Sequence, residues 1–179
     1  MTGGTSGTNQ TSIAINLTNP TNTVQTASYN VTATSGTCLG STFTLAVNVN
    51  PKPTVGSNLA TQAICSGDAI SDIMLDNPNI VAGTIYYSWT RDNNANVTGI
   101  AANGSTQVIS GNLTNLTNTP QTVTFTLYAT SDEGCISLAG VSQVTVNPKP
   151  TVAAAPVSQT ICSGNSIGNI TITNPNIVS

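Results

Sequence analysis

The sequence predicts an all-β protein made of tandem antiparallel β-sandwich modules. Blocks of sequence recur at a fixed spacing, which is the signature of a repeat architecture. Within each block, apolar and polar residues alternate over short segments, and clusters of Asn, Gly, Ser and Pro separate these segments. No segment has the period of an amphipathic helix. About seven short strands in fewer than about 100 residues are typical of a two-layer sandwich.

The repeat is visible in blocks of identical sequence. Three blocks recur along the chain: NPKPTV at 50–55 and 147–152, ICSG at 64–67 and 161–164, and NLTN at 16–19 and 112–115. The first two return after 97 residues and the third after 96, so one residue has been gained or lost between them. We place this indel in the exposed loop before Cys38 and Cys135, because loop tips tolerate such changes.

The spacing predicts one complete module and two truncated ones. Residues 51–147 form the complete module with its N-terminal linker, residues 1–50 the C-terminal half of another, and residues 148–179 the N-terminal third of a further one. The block NPNIV at 174–178 repeats 77–81, so the chain is expected to end within a module. We therefore expect a piece of a longer protein, in which neither truncated module closes its own core.

The strands of the complete module follow from alternation and the turns between them. In order, the predicted strands cover residues 60–65, 69–75, 83–91, 96–101, 107–113, 122–129 and a last strand containing Val144 and Val146. The turn clusters lie at 66–68, 76–79, 92–94, 103–105 and 117–120. The strand at 122–129 alternates most regularly, with Thr and Tyr at the outward positions, so one face is expected to be solvated. Its earlier copy places Tyr29, Val31 and Ala33 inward, and a strand with Phe43, Leu45, Val47 and Val49 follows.

Aromatic residues divide between the predicted core and the predicted surface. Trp89 is the sole tryptophan, and its position in mid-strand places it in the core with Phe125 and Leu127, although a sugar-stacking platform is the alternative. Tyr86 and Tyr128 have the outward parity and are the candidates for ligand-facing aromatics.

Composition excludes several classes of function. Only 5% of residues are charged and the net charge is −3, so the chain lacks the basic face of a nucleic-acid binder or of a protein bound to anionic lipid. No apolar run reaches the roughly 18 residues that cross a bilayer, so we expect no membrane insertion. Because 38% of residues are hydrophobic and alternate regularly, disorder is disfavoured.

The four cysteines predict an oxidising compartment. They form two equivalent pairs with no histidine and no C-x-x-C motif, which disfavours zinc. The favoured disulfide joins Cys65 to Cys135 within the complete module. The alternative, which stays open, joins Cys38 to Cys65 and Cys135 to Cys162.

The chain offers no chemistry for catalysis, and no cofactor is expected. Asp68, Asp72 and Asp76 share strand parity and invite a calcium site, which requires clustered oxygen ligands. One repeat later, the matching positions hold Asn165, Asn169 and Thr173. A site that every module needs would keep its carboxylates, so we expect no metal.

The prolines of Pro51-Lys52-Pro53 hold the linker extended and end the preceding strand.

The repeated motifs resemble a known family. VNPKPTV, QTICSG at 159–164, SWTRD at 88–92, PQTVTFT at 120–126 and EGC at 133–135 are similar to the PKD-like, immunoglobulin-like repeats of large secreted proteins of Bacteroidota. The resemblance implies immunoglobulin-like sandwiches, export to the cell surface or medium, and no enzymatic activity. It favours a structural stalk or spacer, with neighbouring repeats of the same chain as partners. The alternative is an adhesion or glycan-binding module whose partners are surface glycans or proteins.

Overall fold

All regular secondary structure in a computed structural model of the chain is β-strand, and no helix occurs among residues 1–176, which the structure describes. The predicted equivalence of Ile177 and Val178 with the central repeat falls outside the described residues. The strands are β1 Gln25–Ser35, β2 Cys38–Val49, β3 Gly56–Ser57, β4 Thr61–Cys65, β5 Ile73–Asp76, β6 Ile85–Arg91, β7 Val97–Gly99, β8 Asn103–Gly104, β9 Val108–Ile109, β10 Leu113–Asn115, β11 Gln121–Ser131, β12 Gly140–Asn147, β13 Ala153–Ala155 and β14 Thr171–Thr173. The predicted all-β fold is confirmed.

Strands β3 to β12 form the sheets of a β-sandwich. One sheet has the order β4-β12-β11-β6-β8, a second has the order β3-β5-β9, and β10 pairs with β7. The first sheet departs from the antiparallel expectation at one edge, where β4 runs parallel to β12 with Thr61 opposite Gln143 and Cys65 opposite Asn147. Strands β1 and β2 form a separate antiparallel hairpin, and β13 and β14 form another two-stranded sheet.

The core follows from the alternation of apolar residues in the sandwich strands. At most 1% of the surface of each of its central side chains is exposed: Ile73, Leu75, Val97, Ile109, Leu113, Val123, Phe125, Leu127, Ala129, Val144 and Val146. Trp89 is buried as well, and its ring meets that of Phe125 edge-on with 5.8 Å between centroids. Burying apolar surface at about 25 cal/mol per Å² is the main stabilising term for such a sandwich.

Two glycines explain where the predicted strands and turns differ from the structure. Asn103-Gly104 was predicted as a turn, but it forms β8 and pairs with Trp89 and Thr90. A Cβ at Gly104 would collide with the Trp89 indole, so this glycine permits close approach. The predicted strand at 107–113 is divided by Gly111, whose φ of 132° turns the backbone so that β9 and β10 join different sheets.

Arg91 is a buried cation at the end of β6. Its Nε donates to the carbonyl of Ile100 at 2.7 Å, and its Nη1 donates to that of Val97 at 3.2 Å. Burial lowers the pKa of the guanidinium, although a neighbouring carboxylate, Asp92, opposes this. The arginine thus satisfies one carbonyl of β7 and one of the loop that connects β7 to β8.

The predicted disulfides are absent from this structure, in which all four thiols are free. Cys65 lies opposite Asn147 at the C-terminal end of β12, whereas Cys135 lies in the turn that precedes Gly140 at its other end. Strands rise about 3.3 Å per residue, so roughly 20 Å of strand separates these ends, far beyond the reach of a disulfide. The alternative pairs are also absent, and both Cys38 and Cys162 are exposed.

The chain divides into two compact units. The first comprises Met1–Gly56, Leu75–Ser88 and Leu127–Gly140, and the second comprises Ser57–Met74, Trp89–Thr126 and the residues from Val141 onward. This division cuts through β3, β5, β6, β11 and β12, so it does not follow the sequence repeats. The module boundaries therefore stay a prediction.

Candidate functional site

The Pro51-Lys52-Pro53 linker is held by one side chain. Asn79, in the turn after β5, accepts hydrogen bonds at Oδ1 from the Thr54 backbone N–H at 2.9 Å and from the Thr54 hydroxyl at 3.1 Å. Its Nδ2 donates to the carbonyl of Lys52 at 2.8 Å. Both prolines are buried while Lys52 is exposed. The linker is thereby fixed on both sides of Pro53, and we call this arrangement the linker clamp.

The same clamp recurs at the second linker. Asn176 Oδ1 accepts from the Thr151 N–H at 3.0 Å and from the Thr151 hydroxyl at 3.1 Å, and its Nδ2 donates to the Lys149 carbonyl at 2.7 Å. Each of the three residues lies 97 positions after its counterpart. The clamp is therefore a property of the repeated sequence and not of one location in the chain.

A second repeated asparagine ties a turn to a strand end. Asn115 Oδ1 accepts from the N–H and hydroxyl of Thr117, each at 2.8 Å, and its Nδ2 donates to the carbonyls of Thr119 at 2.7 Å and Val146 at 2.8 Å. Asn115 is buried, and its bond to the Val146 carbonyl satisfies an acceptor that is buried as well.

Asn19 makes the same four bonds in the first part of the chain. It accepts from the N–H and hydroxyl of Thr21 at 2.9 and 2.7 Å, and it donates to the carbonyls of Thr23 at 2.7 Å and Val49 at 2.8 Å. The turn residues lie 96 positions before their counterparts, but Val49 lies 97 positions before Val146. This change of step agrees with the indel inferred from the sequence.

A third pair of bonds recurs at a glutamine. The Oε1 of Gln62 accepts a hydrogen bond from the Ser71 N–H at 2.8 Å, and its Nε2 donates to the Ser71 carbonyl at 3.0 Å. Gln159 bonds Gly168 in the same way, at 2.7 and 3.0 Å. Local hydrogen bonding is thus reproduced in all three parts of the chain.

These polar residues carry the repeat in the sequence, and Asn79 lies in a predicted turn, but the sequence pattern predicts none of their bonds to distant residues. Asn79 lies in the repeated NPNIV block, and Asn115 lies in the repeated NLTN block. Each of these asparagines recurs at the same position in two copies of its block, next to a proline or a turn, and this recurrence is the sequence signal for a structural role. Asx-type side chains often bond their own turns, so this signal could have indicated the turn bonds of Asn115, whereas the distant partners of the linker clamp leave no such signal.

One ion pair joins the second linker to the turn after β4. Lys149 Nζ lies 2.8 Å from Asp68 Oδ1, and about half of each side chain is exposed. The hydrogen bond to Asp68 raises the pKa of Lys149. Asp68 was one of the three aspartates considered for calcium, and its carboxylate is directed to a lysine.

The two candidate tyrosines lie on adjacent strands of one sheet. The N–H of Asp92 bonds the Thr124 carbonyl and that of Asp132 bonds the Thr84 carbonyl, each at 3.1 Å. This register places Tyr128 opposite Ser88. Tyr86 lies two residues before Ser88 on β6 and therefore on the same, outward face. The two tyrosines are therefore diagonal neighbours, whose Cα atoms lie roughly 7–8 Å apart by the usual geometry of such pairs.

These tyrosines differ in exposure. Tyr86 is 61% exposed, and Tyr128 is half-buried. The three predicted core residues, Trp89, Phe125 and Leu127, are buried on the other face. The Trp89 indole N–H lies 3.4 Å from the Thr106 hydroxyl, so the ring is enclosed and is no platform for a sugar.

The described residues bring no three His, Cys, Asp or Glu side chains into a group that could hold a metal ion. The concave regions are shallow. One of about 200 Å³ is lined by residues that include Pro51, Gly83 and Glu133. A larger open groove of about 820 Å³ lies along residues 1–6 and Tyr29. Neither contains an arrangement of acid, base and nucleophile.

Fold and local geometry define an immunoglobulin-like β-sandwich with polar, hydrogen-bonded junctions. The chain belongs to the PKD-like domain family, whose profile it matches over residues 1–53 and 62–150. No curated protein matches the chain. Members of this family are generally non-catalytic modules. Among residues 1–176 there is no helix of the length and apolarity that crossing a membrane requires.

Proposed function

We propose that this chain is a non-catalytic structural repeat, which acts as a stalk or spacer in an extracellular or cell-surface protein. The observation that carries the proposal is the linker clamp, because the same three hydrogen bonds recur at both Pro-Lys-Pro segments. A spacer must hold successive modules at a set distance, and its junctions must therefore resist bending.

The linker chemistry suits that task. Prolines restrict φ and favour an extended backbone, so two of them separated by one residue already stiffen the segment. The asparagine then fixes the carbonyl before the second proline and the N–H after it. The junction is held by backbone restriction and by side-chain bonds from the following module.

The proposed module division is 1–50, 51–147 and 148–179. The clamps support it, because the two clamps lie 97 residues apart, at equivalent positions of the repeat. The two matched segments of the family profile support it as well. Partners under this proposal are the neighbouring repeats of the same chain.

The extracellular location is supported by family membership, since PKD-like domains are typically extracellular. The cysteines no longer support it, because all four are free thiols. The low charge gives no reason to propose nucleic acid or a membrane as a partner.

Small-angle scattering tests the spacer proposal on an array of several copies of residues 51–147. We expect a rod whose length rises in proportion to the number of copies. Asn79→Ala in every copy should shorten the mean end-to-end distance by freeing the linker, while the exposed Asn96→Ala should leave it unchanged. A compact particle, or equal behaviour of both variants, would overturn the proposal.

A second candidate function is adhesion through the face that bears Tyr86 and Tyr128. The exposed phenol of Tyr86 favours it, and the neighbouring outward residues are uncharged Ser and Thr. Such a face suits neutral glycans or a protein surface. A glycan array should then show binding that Tyr86→Ser with Tyr128→Ser abolishes, whereas Tyr29→Ser, outside this face, retains it. Absence of any bound glycan or cell surface would eliminate this candidate.

A further inference from the structure

The sequence contains three basic side chains, and each of them lies where a protease is hindered from cutting after it. Lys52 and Lys149 are followed directly by Pro53 and Pro150, and Arg91 is the last residue of β6. Trypsin-like proteases recognise Lys or Arg and cut the peptide bond that follows. A proline as the next residue hinders this cut, because its ring fixes φ and crowds the cleft of the enzyme.

The linker clamp adds a second obstacle at Lys52. A serine or cysteine protease attacks the carbonyl carbon of this residue, and the carbonyl oxygen must enter the oxyanion hole of the enzyme. That oxygen already accepts a hydrogen bond from Asn79 Nδ2 at 2.8 Å. On the other side of the fully buried Pro53, the Thr54 N–H donates to Asn79 Oδ1 at 2.9 Å. The backbone on both sides of the bond must therefore leave the sandwich before a protease can bind it.

The same obstacle occurs at Lys149. Its carbonyl accepts from Asn176 Nδ2 at 2.7 Å, and the Thr151 N–H donates to Asn176 Oδ1 at 3.0 Å. Both linker lysines have exposed side chains, so a protease can reach the residue that it recognises. What is withheld from the protease is the backbone beside each lysine.

Arg91 is protected by the sandwich itself. It is 8% exposed, and its guanidinium donates to backbone carbonyls. Its own N–H donates to the Ala102 carbonyl at 2.8 Å, and the N–H of the next residue, Asp92, donates to the Thr124 carbonyl at 3.1 Å. A protease reaches the bond after Arg91 only when β6 leaves the sheet, so a cut at this position reports unfolding of the sandwich.

We propose that the linker clamp protects the chain from proteases that cleave after Lys or Arg. Linkers between modules are ordinarily cut first, because their backbone is exposed and mobile. Here both lysines of the chain lie in linkers, and the carbonyl that a protease must attack is bonded to an asparagine in each case. This protection does not depend on the spacer function.

Limited digestion of the whole chain with trypsin, followed by mass spectrometry of the fragments, tests the proposal. We expect no cut at Lys52, Lys149 or Arg91 while the chain is folded. Thr37→Lys places a basic residue in the exposed turn between β1 and β2, and this variant should be cut there. A cut at either linker of the unmodified chain, as fast as the cut in that turn, would overturn the proposal.

Replacing the proline separates the effect of the clamp from that of the proline. Pro53→Ala makes the bond after Lys52 an ordinary trypsin site but keeps the clamp, so the cut should stay slow. Adding Asn79→Ala should speed it at least about tenfold, because cleavage follows the population of the open form. The matched control adds the exposed Asn96→Ala to Pro53→Ala and should leave the rate unchanged. Equal rates with Asn79→Ala and with Asn96→Ala would overturn the proposal.

The cut after Arg91 distinguishes opening of the linker from unfolding of the sandwich. Pro53 is fully buried, so its replacement by alanine lowers the stability of the sandwich. Opening of the linker alone raises the cut at Lys52 and leaves Arg91 intact, which is the result that we expect. If the two cuts rise together, the second linker decides.

The second linker offers a proline that is exposed. Pro150→Ala removes no buried group, so it tests the clamp without disturbing a core. Adding Asn176→Ala should speed the cut after Lys149 at least about tenfold, whereas adding the exposed Asn169→Ala should not. An Asn176→Ala variant that is cut no faster than its Asn169→Ala control would overturn the proposal.

Discussion

The β11–β12 pair and the β1–β2 hairpin come from the same repeated sequence but differ in what surrounds them. Phe125 and Leu127 are buried in a sandwich, whereas their counterparts Tyr29 and Val31 are partly exposed. Both pairs nevertheless form long antiparallel strands with the same flanking asparagine bonds. The comparison shows that short-range sequence sets strands and turns, while burial depends on the presence of an opposing sheet.

The largest difference in the loss of unfolding free energy is expected between Phe125 and its counterpart Tyr29. Phe125→Ala removes a fully buried ring and should lower the free energy of unfolding by about 4 kcal/mol. Tyr29→Ala at the equivalent position should lower it by less than about 1 kcal/mol, since the hairpin has no closed core. Urea unfolding followed by Trp89 fluorescence measures both, because this tryptophan reports on the central module. Equal losses would show that the hairpin belongs to the same cooperative core.

A smaller difference in the loss of unfolding free energy is expected between Asn115 and its counterpart Asn19. Asn115→Ala leaves the buried Val146 carbonyl and the Thr119 carbonyl without this donor, so it should cost about 2 kcal/mol. Asn19→Ala removes the same four bonds at a half-exposed site, where water can replace them. The Trp89 transition should then be unchanged. A loss at Asn19 as large as that at Asn115 would mean that completeness of the module does not govern the cost.

The smallest effect is expected at the linker lysines. Lys149 pairs with Asp68, whereas Lys52 at the equivalent position has no carboxylate within ion-pair distance among the described residues. The folded-state pKa of Lys149 is raised from 10.5, so its contribution is present at neutral pH and is lost as pH rises through the folded pKa.

Thermal unfolding at low salt measures that contribution. Asp68→Asn should lower the melting temperature slightly at pH 7, and the difference from the unmodified chain should vanish in strong alkali or high salt. Lys52→Gln is the matched control and should have no effect of this kind. A difference that persists in alkali would assign the effect of Asp68 to something other than the lysine.

Much of the fold could be predicted because alternation and turn residues are local signals. The sequence identified the strand bearing Phe125, the buried position of Trp89 and the absence of helices. Gly104 was misassigned to a turn, because a glycine that admits a tryptophan ring looks the same in sequence as one that turns the chain.

The disulfide prediction failed for a related reason. Spacing along the chain gave no information on which end of β12 each cysteine occupies, and the parallel pairing of β4 separates Cys65 from Cys135. The clamps at Asn79 and Asn176 were also missed, since their partners lie 25 residues or more away in sequence. Position in three dimensions, not residue type, was the missing information.

Hydrogen exchange on the whole chain tests the central claim most directly. The claim is that residues 51–147 enclose an apolar core, whereas large apolar side chains of residues 25–49 and 151–176 are exposed in this chain. We expect strong protection over 60–146, weaker protection over 25–49, where β1 and β2 still pair, and little protection after residue 153. Equal protection throughout the chain would contradict the account.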